Sequence, residues 1–188
     1  MDDLDLAHPF ANFLISFGAA RKLLERAQER GSLIEGIVVY VSLIDGLLRM
    51  SLVLDKQLAG NFTGDIDDYI QQVTGGPKFT EKMIYTEARQ RNLIDDDLRD
   101  EIIDLYNKRN AVIHRFFLEG TTYASLAPLL DRYEVAYHRC YDVLNTLEER
   151  QIARGGPGMT QKGKGKVSGV RGDIQRQVKL KLGFDPGF

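Results

Sequence analysis

A chain of 188 residues with 43% hydrophobic and 28% charged side chains has enough apolar mass for one globular domain and too little for two. Its formal net charge of −2 excludes a wholly basic nucleic-acid sleeve, yet the charge is uneven: from Arg154 onward eight basic residues stand against two acidic ones, a balance of +6 that leaves −8 for the rest. The single cysteine, Cys140, excludes an intramolecular disulfide and a cysteine-built metal cage, and fits a reducing compartment.

Along nearly every long segment apolar residues recur at three and four, not at two, so the expected class is all-α. Strand-type alternation appears only at Val178-Lys179-Leu180-Lys181-Leu182. The first helix starts near Pro9, a favoured first-turn residue, and carries Phe10, Phe13, Leu14, Phe17, Leu23 and Leu24 to a stop at Gly31. The uncharged stretch Leu6–Ala20 follows Asp2, Asp3 and Asp5, where a secretory signal needs positive charge, so export is not expected. Ser32 with Glu35 reads as a capping box opening a second, mostly apolar and therefore central helix of roughly 27 residues, ending near Gly60. Asp45 and Arg49 interrupt it well before the run of about 20 apolar residues that a membrane span needs. A soluble, cytoplasmic protein is the expectation.

A weak segment follows, with a short helix within Asp65–Val73 and a break at Gly75-Gly76-Pro77. Thr80 with Glu81 and Lys82 starts another helix, running toward Arg91. Asp95 or Asp96 caps a long element from Leu98 to about Phe117, with Asp97 and Asp100 in its first turns. Thr121 or Thr122 opens the last helix, where Pro128 is tolerated in the first turns. A stripe of Leu126, Leu130, Tyr133, Tyr137, Cys140 or Tyr141, Leu144 and Leu147 carries it to about Arg154. The simplest packing is an antiparallel four-to-five-helix bundle over residues 1–154. Residues 155–188 form a Gly/Lys-rich tail: seven of the eighteen residues from Gly155 to Gly172 are glycine, so flexibility is expected there. The tail's cations would grip phosphates, Ile174–Leu182 would order against an acidic partner, or the whole segment serves solubility.

The residues with chemical potential lie late in the chain. On a wheel at roughly 100° per residue, Leu98, Ile102, Leu105, Val112 and Phe116 share one seam, and Ile103, Tyr106, Ile113 and Phe117 its neighbour. This apolar arc covers close to half the helix. Arg109 falls in the middle of the first seam, Asn110 in the second, and His114 at the edge of that arc. A buried guanidinium without a partner is costly, so Arg109 requires either a partner or an internal polar cleft.

Arg109-Asn110-Ala111-Val112-Ile113-His114, with Arg91-Asn92-Leu93-Ile94-Asp95 leading into the periodic helix, resembles the HEPN superfamily. The signature of these small helical bundles is an Arg, often followed by a polar residue such as Asn, then a His after four to six intervening residues. The likeness is architectural over roughly residues 10–150 and residue-specific only near 89–117. Arg132 and His138 offer a second pair within the same spacing range, but Tyr133 follows the arginine and the surroundings read as a tyrosine-rich core stripe, so Arg109 ranks above it.

What the resemblance implies is a metal-independent ribonuclease without cofactor, serving as a toxin restrained by a partner protein or in antiviral defence. Other members have lost activity, which makes a non-catalytic RNA- or protein-binding regulatory module the alternative. Imidazole as a class titrates near cellular pH, so His114 would take the 2′-hydroxyl proton or return one to the leaving oxygen. Arg109 would stabilise charge on the phosphorane, and Asn110, about 40° from His114 on the wheel, would orient the imidazole or contact phosphate. The products would be a 2′,3′-cyclic phosphate and a 5′-hydroxyl.

Arg109 and His114 stand about 140° apart on an ideal helix. Either the arginine curls round, or two copies of the helix pair across a two-fold axis; the wide apolar arc and the resemblance both favour a homodimer with a shared cleft. Asp45, Arg49, Lys108 and Arg115 are candidates to line that cleft, although Asp45 and Arg49 at i,i+4 serve equally as an internal ion pair. His138 lies one residue too far from Glu134 for the Glu-x-x-His of carboxylate-bridged metal bundles, His8 reads as solvated, and Cys140 as packing. Some HEPN toxins carry a tyrosine two residues after the histidine, which a partner nucleotidyltransferase modifies; this chain has Phe116 there, so that form of restraint would need another residue. The expected partners are a second copy, RNA, and an antitoxin or other regulatory protein, with no membrane.

Overall fold

Helix starts in this protein follow from side chains placed to accept a backbone N–H. In a computed structural model that describes residues 9–60, 69–70, 79–116, 118, 120 and 122–155, five α-helices and one 3₁₀ turn are present, and no strand among those residues. They are α1 (Pro9–Glu29), α2 (Leu33–Leu58), α3 (Glu81–Gln90), α4 (Asp96–Arg115), the 3₁₀ turn Tyr123–Leu126 and α5 (Ala127–Ala153). Thr80 Oγ1 accepts from Met83 N at 3.4 Å to open α3, and Asp95 Oδ1 accepts from Leu98 N at 2.7 Å to open α4. Thr122 opens the 3₁₀ turn with a reciprocal bond to Ser125, and Pro128 sits in the first turn of α5. Of the short helix expected within Asp65–Val73, only Tyr69 and Ile70 are described, and both are helical. His8, Gly75-Gly76-Pro77, Phe117, Thr121, the tail from Gly156 and its Val178–Leu182 alternation lie outside the described residues.

The entry to α2 departs from the sequence expectation. Ser32 is the N-cap residue, but its side chain caps nothing, so the Ser32–Glu35 box does not form. The Tyr123 hydroxyl takes its place: it accepts from Leu33 N at 2.8 Å and donates to the Gly31 carbonyl at 2.6 Å. One phenol thus satisfies a free donor of α2 and a carbonyl of the preceding turn, which Gly31 shapes with a φ of +64°.

Packing centres on α2, whose Ile37, Leu43, Leu47, Leu48, Met50, Leu52 and Leu54 are fully buried. This helix is long and apolar enough to cross a membrane by length and composition, but here α1, α3, α4 and α5 cover it. Gly46 admits α1 at close range, since a Cβ there would meet the Phe17 ring at 2.9 Å. Gln28 Nε2 donates to the Tyr40 hydroxyl at 3.1 Å, which, with Phe17 against Gly46, sets α1 antiparallel to α2.

The bundle is not antiparallel throughout. Short loops reverse α1 into α2, α3 into α4, and α4 toward α5, where Arg139 reaches Asp95 and Tyr133 reaches the Leu105 carbonyl. The central helix, however, runs parallel to α5: Leu130 lies beside Gly36 at one end, and Gln151 bonds Gln57 at 3.0 Å at the other. It also runs parallel to α3, with Arg91 reaching Asp55 at 3.1 Å. The physical reason is the connection from Ala59 to Thr80, long enough to bring the chain back to the middle of α2 before α3 begins.

The tyrosine-rich stripe of α5 is core, as the spacing predicts for Tyr133, Cys140, Leu144 and Leu147. Burial pushes the Cys140 thiol up to about 12 from an ordinary 9.0, and burial with the nearby Glu134 charge pushes Tyr40 up to about 12 from 10.0. Tyr133 is likewise held protonated by burial.

Two outcomes are expected. Tyr123→Phe should cost about 1 kcal/mol and lower the thermal midpoint by about 2–4 °C, whereas Ser32→Ala should stay within about 0.5 kcal/mol; equal losses would contradict the capping assignment. In alkali the unfolded chain releases its thiol and phenol protons first while the native state keeps them. Stability is therefore complete below the ordinary thiol value of 9.0 and falls as pH rises toward about 12. A series of urea midpoints checks this, and Cys140→Ala should move the onset upward toward the ordinary phenol value of 10.0.

Candidate functional site

The inner face of α4 carries Leu98, Ile102, Leu105 and Val112 into the core, and Arg109 rides on that face between Leu105 and Val112. Its side chain is 20% exposed. The guanidinium finds the partner its position demands in Glu81, the first residue of α3, with Nη2 to Oε1 at 3.2 Å. It also lies over the Tyr106 ring, 5.0 Å from the centroid, a cation–π contact that Lys82 shares from 5.1 Å. Lys82 Nζ in turn donates to Asn107 Oδ1 at 3.1 Å.

Asn110 is half-buried and His114 is exposed in the last turn of α4. Within one chain the helix therefore turns the guanidinium inward toward α3 and leaves the imidazole on the outer surface. The neighbouring apolar seam is incompletely covered within one chain: Ile103 and Tyr106 are half-buried and Ile113 is 41% exposed.

Asp45 and Arg49 are brought together on α2. Arg49 is buried, and its three nitrogens are all used: Nε to Asp45 Oδ2 at 2.6 Å, Nη1 to the Tyr69 carbonyl at 2.6 Å, and Nη2 to the Phe79 carbonyl at 2.9 Å. Burial pushes the Asp45 carboxyl up, against the pull of Arg49. Lys108 lies on another side of α4, bonded to Asp104 at 3.0 Å, and forms one rim of a groove of about 350 Å³ with Val112, Leu126, Leu129 and Arg132. Arg115 is exposed at the end of α4.

The second Arg/His pair is differently employed. Arg132 is held by Glu101 at 2.8 Å and Asp104 at 2.7 Å, while His138 faces solvent 3.9 Å from Glu134. Among the described residues no group of three or more His, Cys, Asp or Glu is placed to hold a metal ion.

Sequence reasoning misses Glu81 and Tyr85 as site residues and reads Tyr106 only as part of the apolar seam. Glu81 was legible only as a helix-start residue, and its pairing with Arg109 is tertiary. Tyr85 is fully buried on α3, where burial and then the charges of Asp45 and Glu81 hold its phenol well above the ordinary range.

Arg49→Met should strip Asp45 and two carbonyls of their donor and cost about 3–5 kcal/mol, read as a lowered denaturant midpoint. A loss below about 1 kcal/mol would mean the pair behaves as a surface salt bridge. Comparison with protein-family models, curated proteins and solved structures finds no match to this chain.

Proposed function

We propose that the protein is a metal-independent endoribonuclease of the HEPN type, acting in the cytoplasm as a toxin or defence protein and restrained by an antitoxin or other regulatory protein. The observation that carries this reading is the division of labour on α4: a guanidinium anchored on the apolar face by Glu81 and Tyr106, and an exposed imidazole less than two turns further on. His114 serves as acid and base on the 2′-hydroxyl and leaving oxygen, Arg109 stabilises the phosphorane, and Asn110 orients the imidazole or contacts phosphate. The scissile phosphate competes with Glu81 for the guanidinium.

Because one helix aims the two groups apart, the active form is a homodimer in which two copies of α4 meet. The incompletely covered seam of Ile103, Tyr106 and Ile113 is the surface that supports such pairing. Lys108 and Arg115, on the side of α4 away from that seam, take backbone phosphates beyond the cleft, while Asp45 and Arg49 support it from within. Restraint would not use the residue two after the histidine, which is Phe116.

One observation favours the second reading, a non-catalytic HEPN-like module that binds RNA or protein. Arg109 already has an internal partner in Glu81, as a purely structural arginine would.

Purified protein should cut single-stranded RNA in the presence of EDTA. His114→Ala should lower the rate by about 10²–10⁴ while circular dichroism and sedimentation stay unchanged. Wild type that never cuts RNA, with Arg109→Ala lowering only the melting temperature, would replace the enzyme with the binding module.

A further inference from the structure

We infer that Lys82 is a second phosphate ligand of the RNA-binding face of α4: its ammonium takes a backbone phosphate next to the one that Arg109 and His114 engage. The inference deepens the reading proposed above and rests on it. Lys82 lies in the first turn of α3 and is exposed, yet its side chain is held at two points. Nζ donates to Asn107 Oδ1 at 3.1 Å and stands 5.1 Å from the centre of the Tyr106 ring, the ring that the Arg109 guanidinium meets at 5.0 Å.

Those two anchors belong to different sides of α4. Tyr106 is shared with Arg109, whereas Asn107, Asn110 and His114 follow one another at intervals of three and four residues and so share a face. Asn107 and His114 are exposed there. The ammonium therefore spans part of the arc between the guanidinium and the imidazole. It sits at the level of Asn107, about 10 Å along the helix axis before His114. A single strand laid along this face meets Lys82, Asn110 and His114 in turn.

Charge separates Lys82 from other cations of α3 and α4. Lys108 is paired with Asp104 at 3.0 Å, Arg89 with Asp96 at 2.8 Å, and Arg91 with Asp55 and Glu87 at 3.1 Å. Lys82 is held by a neutral amide and a neutral ring, and among the described residues no carboxylate pairs with it, so its charge is not neutralised within the fold. With Arg109 and its partner Glu81, the cluster carries two positive charges and one negative. The placement is also locally unfavourable, because a cation in the first turn of α3 faces the positive pole of its own helix. A phosphate relieves that opposition, and a side chain already held by Asn107 and Tyr106 has less rotamer freedom to lose on binding it.

The probe is a single-stranded RNA oligonucleotide bearing 2′-O-methyl groups, which offers no 2′-hydroxyl to react; its binding to the full chain is followed by fluorescence anisotropy over a series of salt concentrations. Lys82→Met, which keeps the stem and drops the charge, should weaken binding about tenfold and flatten the slope of log K against log salt by about 0.7, the value for one phosphate contact on a single strand. Lys82→Arg should keep the slope. Arg99→Met, an equal change of charge at an arginine already paired with Asp100 at 2.7 Å, should leave affinity and slope unchanged. On cleavable RNA, Lys82→Met should raise KM about tenfold with kcat nearly unchanged. An affinity and slope that Lys82→Met leaves at wild-type values, or that Arg99→Met lowers equally, overturn the proposal, as does a wild type that does not bind the oligonucleotide. Cleavage measured on the same samples separates the two ideas. A protein that cuts RNA with an unmoved slope loses this subsite and keeps the nuclease; one that never cuts but shows the flattened slope keeps the subsite and loses the nuclease to the RNA-binding module.

Discussion

A guanidinium placed inside the most apolar helix of a fold must be met by acceptors, and the chain has to be routed so that it is. Arg49 is that group. Its bonds to Asp45 and to the carbonyls of Tyr69 and Phe79 tie the stretch leading into α3 onto the middle of α2. Arg91 repeats the device at the far end of α3, reaching Asp55 of α2 and Glu87 of its own helix, while the Tyr69 hydroxyl donates to Glu87. The register of α3 along α2 is therefore fixed by charge. Buried charges contribute little net stability but penalise every arrangement that leaves them unpaired, and that penalty selects one register.

The same logic places Arg109. Once α3 is fixed, its first residue, Glu81, stands where the α4 guanidinium points, and Lys82 and Tyr106 complete the contact. Arg109 thus lies at the end of a chain of constraints that begins at Arg49. A substitution at Arg49 would be felt at Arg109 without touching it, because the helix that carries its partner would lose its anchor.

Local chemistry was the legible part of the sequence. Thr80 and Asp95 cap as their side chains allow, Gly31 ends α1, and the stripe of α5 buries Tyr133, Cys140, Leu144 and Leu147. Legibility failed where a distant group competed. Ser32 has the right neighbours for a capping box, but Tyr123 reaches the same backbone from the other half of the chain and bonds two groups at once. The direction of α5 relative to α2 was equally hidden, since it depends on the length of a crossover and not on any residue pattern. For the site, the need for a partner at Arg109 was readable from the apolar seam, whereas the identity of Glu81 was not. The apolar arc of α4 is wider than one bundle core needs, as its composition indicates, and Ile113 is where the neighbouring helices leave it uncovered.

The parallel run of α2, α3 and α5 has an electrostatic result. Each helix carries about half a positive charge at its N-terminus and half a negative one at its C-terminus. In an alternating bundle these poles cancel between neighbours. Among the described helices α2 and α5 lie with their poles aligned, and the cancelling falls to α1 and α4, whose C-termini meet those two N-termini at one end of the bundle. That end gathers the starts of α2 and α5 and also the last turn of α4, with His114 and Arg115 on it. Arg115 there stands against the negative pole of its own helix, a pairing that steadies the last turn.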